Sequence, residues 1–226
     1  MEKAEKRFTS ANVCVKGEYY MKKANFSMWD NEVDKAVNEI NCVTAQIKSV
    51  HKKLSTNGMM YGDDNFKVFI LNVCETLNYW TGHTYVGCKK SKPIQKAFQA
   101  FFEALYDFLL FCQREDKSFF HLLKDLADTA LYRGTLYRYL GHCSYDNDTE
   151  DKVEPEYNDI YVSWSKKPNN NYIQSKLYGT KTLMTCVLVE PYYGIDLEVF
   201  GVVKGDEAEV VFPTVKETIT DIEYLE

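Results

Sequence analysis

No stretch of this 226-residue chain approaches the roughly 18 uninterrupted apolar residues that a membrane-spanning helix needs. The first 27 residues also lack the apolar run of a secretory signal, so the expectation is a soluble, cytoplasmic chain, or one delivered to a target cell's cytosol, with no membrane partner. Seven cysteines (Cys14, Cys42, Cys74, Cys88, Cys112, Cys143 and Cys186) form no CxxC pair, their count is odd and most have apolar neighbours, which speaks against a disulfide framework. A basic excess is missing too. The 27 Lys and Arg residues face 33 Asp and Glu, a net charge of −6, which argues against a protein whose main task is to coat nucleic acid or an anionic membrane. What is abundant is apolar and aromatic surface: 45% hydrophobic and 15% aromatic residues can bury a core and exclude a disordered tail.

Several chemistries lack their signature. Gly179, Thr180, Lys181 and Thr182 have no upstream glycine at the Walker A position, which argues against an ATPase. Ser163 has no GxSxG elbow around it and no sequence sign of a partnering His, so it does not look like a hydrolase nucleophile. Asp146, Asp148 and Glu150 begin like a calcium loop, but Asp151 stands where the turn glycine belongs and Tyr157 where the closing glutamate belongs. The spacings of Cys74, His83 and Cys88, and the isolated pair His142 and Cys143, are not those of a zinc site, so no metal is expected.

The chain changes character near residue 128. Up to that residue 18 basic and 16 acidic residues give +2; after it, 9 and 17 give −8. In the first part Val33, Val37, Ile40, Val43, Ile47, Val50 and Leu54 recur at steps of three or four and predict a helix from about residue 28 to 55. Phe66 to Leu77 and Ile94 to Cys112 predict two more, the latter with Pro93 in its first turn, and Phe119 to Leu126 repeats the pattern. From Ala130 on the period shortens to two. Ile160 with Val162, Leu183 to Val189, Ile195 to Val203, and Ala208 to Phe212 predict strands, and the acidic stretch Asp146 to Asp159 predicts a mobile loop. The organisation is α+β: a helical region over residues 1–128 and a strand-rich region over 129–226.

Three segments of the second region carry reactive groups. Leu131, Tyr132, Arg133 and Gly134 end an apolar strand in an arginine, whose rigid fork of donors matches phosphate oxygens, and a glycine, which lets a ligand approach the backbone. In Tyr161 to Ser165, strand alternation puts Ser163 and Ser165 on one face and Val162 and Trp164 on the other, so Ser163 can orient a neighbouring carboxylate. In Gly205 to Pro213 the same alternation would bury Ala208, Val210 and Phe212 and bring Glu207 and Glu209 onto one face, about 7 Å apart. Such a pair suits the two tasks of glycosidic chemistry, stabilising an oxocarbenium-like centre and deprotonating an acceptor.

In this order, Leu-Tyr-Arg-Gly, Ser-x-Ser, then Glu-x-Glu with an apolar run and Pro213, residues 129–226 resemble the Arg-Ser-Glu class of mono-ADP-ribosyltransferases. Separations of 30 residues from Arg133 to Ser163 and 46 from Ser163 to Glu209 suit that pattern. The resemblance implies a split, mixed β-sandwich core that grips NAD as co-substrate in a cleft between two sheets. It implies that the nicotinamide bond is broken and ADP-ribose passed to a macromolecular acceptor, protein arginine or nucleic acid. It further implies that Arg133, with Gly134, binds NAD through its phosphates, that Ser163 holds the catalytic glutamate, that Glu209 stabilises the charged ribose, and that Glu207 helps the acceptor react. Tyr178, ahead of Tyr172, is the candidate to stack on nicotinamide. Trp164 departs from the family's small middle residue in Ser-Thr-Ser. A toxin or effector role, with an antitoxin or regulatory partner, belongs to the same implication.

Two alternatives stay open: a non-enzymatic interaction module with a degenerate version of this fold, and an NAD hydrolase whose acceptor is water. Lys89, Lys90, Lys92 and Lys96, beside Trp80 and Tyr85, are where a nucleic-acid acceptor would dock by charge and stacking.

Overall fold

The structure is a computed structural model and describes residues 33–57, 63–87, 91–115, 121–143, 154–169, 177–202 and 208–225. The chain divides into two compact units, Met1–His121 and Leu122–Glu226, the division falling a few residues before the change in sequence character.

In the first unit the apolar stripes become helices α1 (Val33–Asn57), α2 (Asp63–Gly87) and α3 (Lys92–Arg114). Helix α1 covers the described part of the stretch expected over 28–55; residues 28–32 of that expectation lie outside the described residues. Pro93 sits in the first turn of α3, where a missing N–H costs nothing, and Ile94, Phe98, Phe101, Leu105, Phe108 and Cys112 are all buried as their spacing requires. Asn72, fully buried, donates from Nδ2 to Gln46 Oε1 at 2.9 Å, which ties α2 to α1 inside the apolar packing. Cys42 on α1 is disulfide-bonded through a partner outside the described side chains, while Cys74, Cys112 and Cys186 are free thiols. An odd cysteine count without CxxC carries no information about such a long-range pair.

The second unit takes up helix α4 (His121–Ala130) from its second residue and continues as β1 (Leu131–Tyr132), β2 (Gly134–Cys143), β3 (Asn158–Ser165), β4 (Leu177–Leu188), β5 (Gly194–Asp196), β6 (Glu209–Thr214) and β7 (Ile219–Leu225). The strands form one seven-stranded sheet in the order β1-β5-β6-β3-β2-β4-β7. Every registered pairing is antiparallel, which corrects the expectation of a mixed sheet. The fold class is α+β.

The sheet curls. Strands β1 and β2 flank Arg133 on one stretch of chain, so the circuit β1-β5-β6-β3-β2 begins and ends on the same segment. Between β2 and β3 a single pair is in register, Tyr137 with Ser165, so the sheet is nearly split along this seam. Trp164, Val210 and Phe212 from one limb and Leu136, Met184, Cys186 and Leu188 from the other fill one buried cluster. One curled antiparallel sheet thus closes over this core.

Two strand expectations change. In the stretch expected as strand from Ile195 to Val203, of which Val203 lies outside the described residues, the strand leaves off at Asp196, because the Asp196 carboxylate caps the next turn by accepting from the Glu198 N–H at 3.1 Å, and Leu197–Phe200 winds into a 3₁₀ turn that ends at Gly201 with φ +69°. The edge strand β7 went unread, since its apolar residues Ile219, Ile222 and Leu225 recur at steps of three.

Candidate active site

Packing decides which side chains face the site. Val162 and Trp164 on β3 turn to the core, and Trp164, 2% exposed, donates from Nε1 to the Phe212 carbonyl at 2.9 Å. The Trp164 indole thus lies on the core face, away from the Ser163 side. Alternation then puts Ser163 and Ser165 on the opposite face, and on β6 puts Glu209 and Val211 there, since Val210 and Phe212 are core residues. Register pairs Ser165 with Glu209 and Ser163 with Val211. Ser163 and Glu209 are therefore diagonal neighbours, a span of about 7–8 Å between backbones that a glutamate side chain can cross.

The structure brings these two together. Ser163 Oγ donates to Glu209 Oε1, and Glu209 is only 9% exposed. A carboxylate shielded to this degree is tolerable only when hydrogen-bonded, and the Ser163 hydroxyl is one of its partners. Ser165, also buried, accepts from the Lys167 N–H at 3.0 Å in a local turn at the end of β3.

Of the other expected residues, Arg133 and Gly134 are described in full, Tyr178 by its backbone, and Glu207 and Tyr172 not at all. Leu131, Ile195, Val211 and Ser163 form one row across β1, β5, β6 and β3. Arg133 and Glu209 lie beyond that row in opposite directions. Arg133 is exposed, opposite Tyr193, with its guanidinium 5.5 Å from that ring's centre. At Gly134, φ is +141° and a Cβ would lie 2.7 Å from the Tyr132 hydroxyl, which itself donates to the Thr135 carbonyl at 3.1 Å; the glycine is accounted for by the kinked joint between β1 and β2. Glu207 lies outside the described residues. β6 starts at Glu209, just after Ala208 with φ +46°. Tyr172 is likewise outside. Tyr178 pairs through its backbone with His142, seven positions along β4 from Thr185, which shares the row of Tyr137 and Ser165; that is about 23 Å of strand, and the register does not bring it beside Glu209.

Two groups were not anticipated. Arg138 on β2 donates from Nη1 to the Ser163 carbonyl at 3.0 Å. The triplet Leu-Tyr-Arg occurs twice, at 131–133 and 136–138, and only the first had been singled out. Lys166, one residue past β3, is held by Asp196 at 2.9 Å and by Glu198, lies 5.8 Å from the Tyr132 ring centre, and donates its main-chain N–H to the Ala208 carbonyl at 3.1 Å. Burial lowers its ammonium pKa, but the bonds to Glu198 and Asp196 outweigh that and raise it overall. Burial raises the Tyr132 phenol, against the lowering effect of Lys166.

In the first unit, Trp80, a candidate stacking platform for nucleic acid, sets its ring edge-on to Phe98 and Phe102, with centres 5.0 Å apart in both cases. Lys92 and Lys96 are exposed; Lys89, Lys90 and the Tyr85 side chain lie outside the described part. Among the described residues no group of three or more His, Cys, Asp or Glu side chains could hold a metal ion, and no helix is long and apolar enough to cross a membrane. Comparison with protein-family models, with curated proteins and with solved structures gives no match. What the site offers is a buried carboxylate fixed by a hydroxyl on a sheet face, an arrangement able to stabilise a developing cation or take up a proton.

Proposed function

We propose that the chain is a mono-ADP-ribosyltransferase that uses NAD as co-substrate and passes ADP-ribose to a macromolecular acceptor, in a toxin or effector role. The observation that carries this reading is the Ser163 to Glu209 contact across β3 and β6, on a nearly split sheet, in the order that prompted the resemblance. In the reaction the bond between the ribose anomeric carbon and the nicotinamide nitrogen breaks, and nicotinamide leaves with the bonding pair. The ribose becomes an oxocarbenium-like cation, which the Glu209 carboxylate stabilises while Ser163 keeps it aimed. The acceptor then attacks the anomeric carbon and gives up a proton, the step assigned to Glu207. Arg133 is assigned to the NAD phosphates. Because the negative charge of Glu209 matters most when the ribose is positive, its contribution falls on the transition state more than on binding.

The test is to incubate the purified chain with NAD labelled in its adenosine half, with total cell protein and RNA as acceptors. Free nicotinamide together with label on protein or RNA is the expected result. Nicotinamide without labelled macromolecule would make water the acceptor, and neither NAD cleavage nor NAD binding by the folded chain would leave an interaction module.

A further inference from the structure

The seam between β2 and β3 is bridged by side chains where a backbone ladder is nearly absent. After the one registered pair, Tyr137 with Ser165, continued antiparallel pairing would set Tyr139 against Ser163, but the register goes no further. Instead Arg138 Nη1 donates to the Ser163 carbonyl at 3.0 Å, and the Tyr139 hydroxyl donates to the Pro168 carbonyl at 2.6 Å. Ser163 is thus held from two sides, its carbonyl by β2 across the seam and its hydroxyl by Glu209 on β6. The base of Arg138 is itself fixed. Leu136, one turn of the pleat away, is fully buried in the core, and Arg138 stands opposite Met184, another core residue, in the long ladder with β4. An arginine suits this place because its guanidinium stays charged, is planar and donates in a fixed direction, whereas a lysine gives a mobile point donor.

We propose that Arg138 is a positioning residue of the site: it closes the seam between β2 and β3 and so fixes the Ser163 hydroxyl on Glu209. Its effect on turnover rests on the transferase reading above; its effect on β3 does not. Without the bridge, β3 keeps one registered pair to β2, and Ser163 loses the anchor on its carbonyl side. The carboxylate that must face the reacting ribose is then less well aimed, while the surfaces that bind NAD are untouched.

The experiment compares wild type, Arg138→Met and Arg138→Lys by steady-state nicotinamide release and by amide hydrogen exchange across 158–165. In Arg138→Met, kcat should fall about 10- to 100-fold, the scale of a slightly misplaced catalytic group, with KM for NAD nearly unchanged. Exchange along β3 should quicken while that of β4 stays as it was. Arg138→Lys, which keeps charge and a donor, should recover part of both, and it carries the test if the methionine variant does not fold. A raised KM with intact kcat would make Arg138 a ligand contact and overturn the proposal, as would unchanged kcat with unchanged exchange. If wild type releases no nicotinamide, the transferase reading fails by itself, and exchange along β3 still decides whether Arg138 holds the seam.

Discussion

A carboxylate such as Glu209, nine-tenths shielded from water, cannot stay charged at low cost unless donors face it, and the Ser163 hydroxyl is such a donor. Ser163→Ala should therefore lower turnover by about 10- to 100-fold while NAD still binds, because a donor to a buried charge is lost. Calorimetric titration beside the kinetics checks it, and equal loss of binding and turnover would contradict a purely orienting hydroxyl. Buried thiols give a second test at this scale. Burial, with the charge of Glu115 adding to it, pushes the Cys112 thiol up to about 12, so it stays protonated at neutral pH. Native protein should leave Cys112 unmodified by a thiol reagent at pH 8, and unfolding should expose it; rapid labelling of the native residue would contradict this. Strand alternation assigns the faces of Ser163 and Glu209, but each motif alone is weak, and the order of the motifs, with the resemblance it carries, is what singled out the two residues. Arg138 was not singled out, since its triplet duplicates that of Arg133 and only the register of β2 against β3 tells the two apart.

At the scale of elements, the three long helices could be read from their apolar stripes, whereas the sheet was only partly readable. Asp196 shows why. Its neighbours alternate like a strand, yet its carboxylate caps a 3₁₀ turn and also holds Lys166, so the chain leaves the sheet there. Lys166 ties the end of β3 to this turn through Asp196 and Glu198, and its ammonium pKa is raised in the fold. A raised folded value means that the contribution to stability is complete below the unfolded lysine value, about 10.4, and is lost as pH climbs through the folded one. Lys166→Met should thus cost about 1–3 kcal/mol at neutral pH, because it takes a partner from the buried Asp196 carboxylate. The gap to wild type should hold steady from pH 7 to about pH 10 and narrow above it. Urea titrations across that range measure it, and a gap that widens with alkalinity would contradict the assignment.

At the scale of the whole molecule, the sequence showed a helical region followed by a strand-rich one, and the structure divides into two compact units with a boundary close to that change. Antiparallel pairing throughout and the curl that returns β2 beside β3 were not legible, because they depend on contacts between segments far apart in the chain. Each unit has its own buried apolar residues, so a change confined to one core should report on that unit. Gly194 offers such a change. A Cβ there would lie 2.3 Å from Val210 Cγ1 and 3.3 Å from Leu188 Cδ1, both in the sheet core, so Gly194→Ala should destabilise the second unit by about 1–3 kcal/mol through overpacking. In scanning calorimetry the transition of the second unit should move down and that of the first stay in place; an equal shift of all unfolding would show that the units melt as one. The central claim concerns chemistry, and nicotinamide release from NAD by wild type beside Glu209→Gln tests it most directly. Wild type should release nicotinamide, and the variant should lose about 10²- to 10³-fold of that activity with its melting temperature retained. Equal release by both proteins, or none by folded wild type, would contradict it.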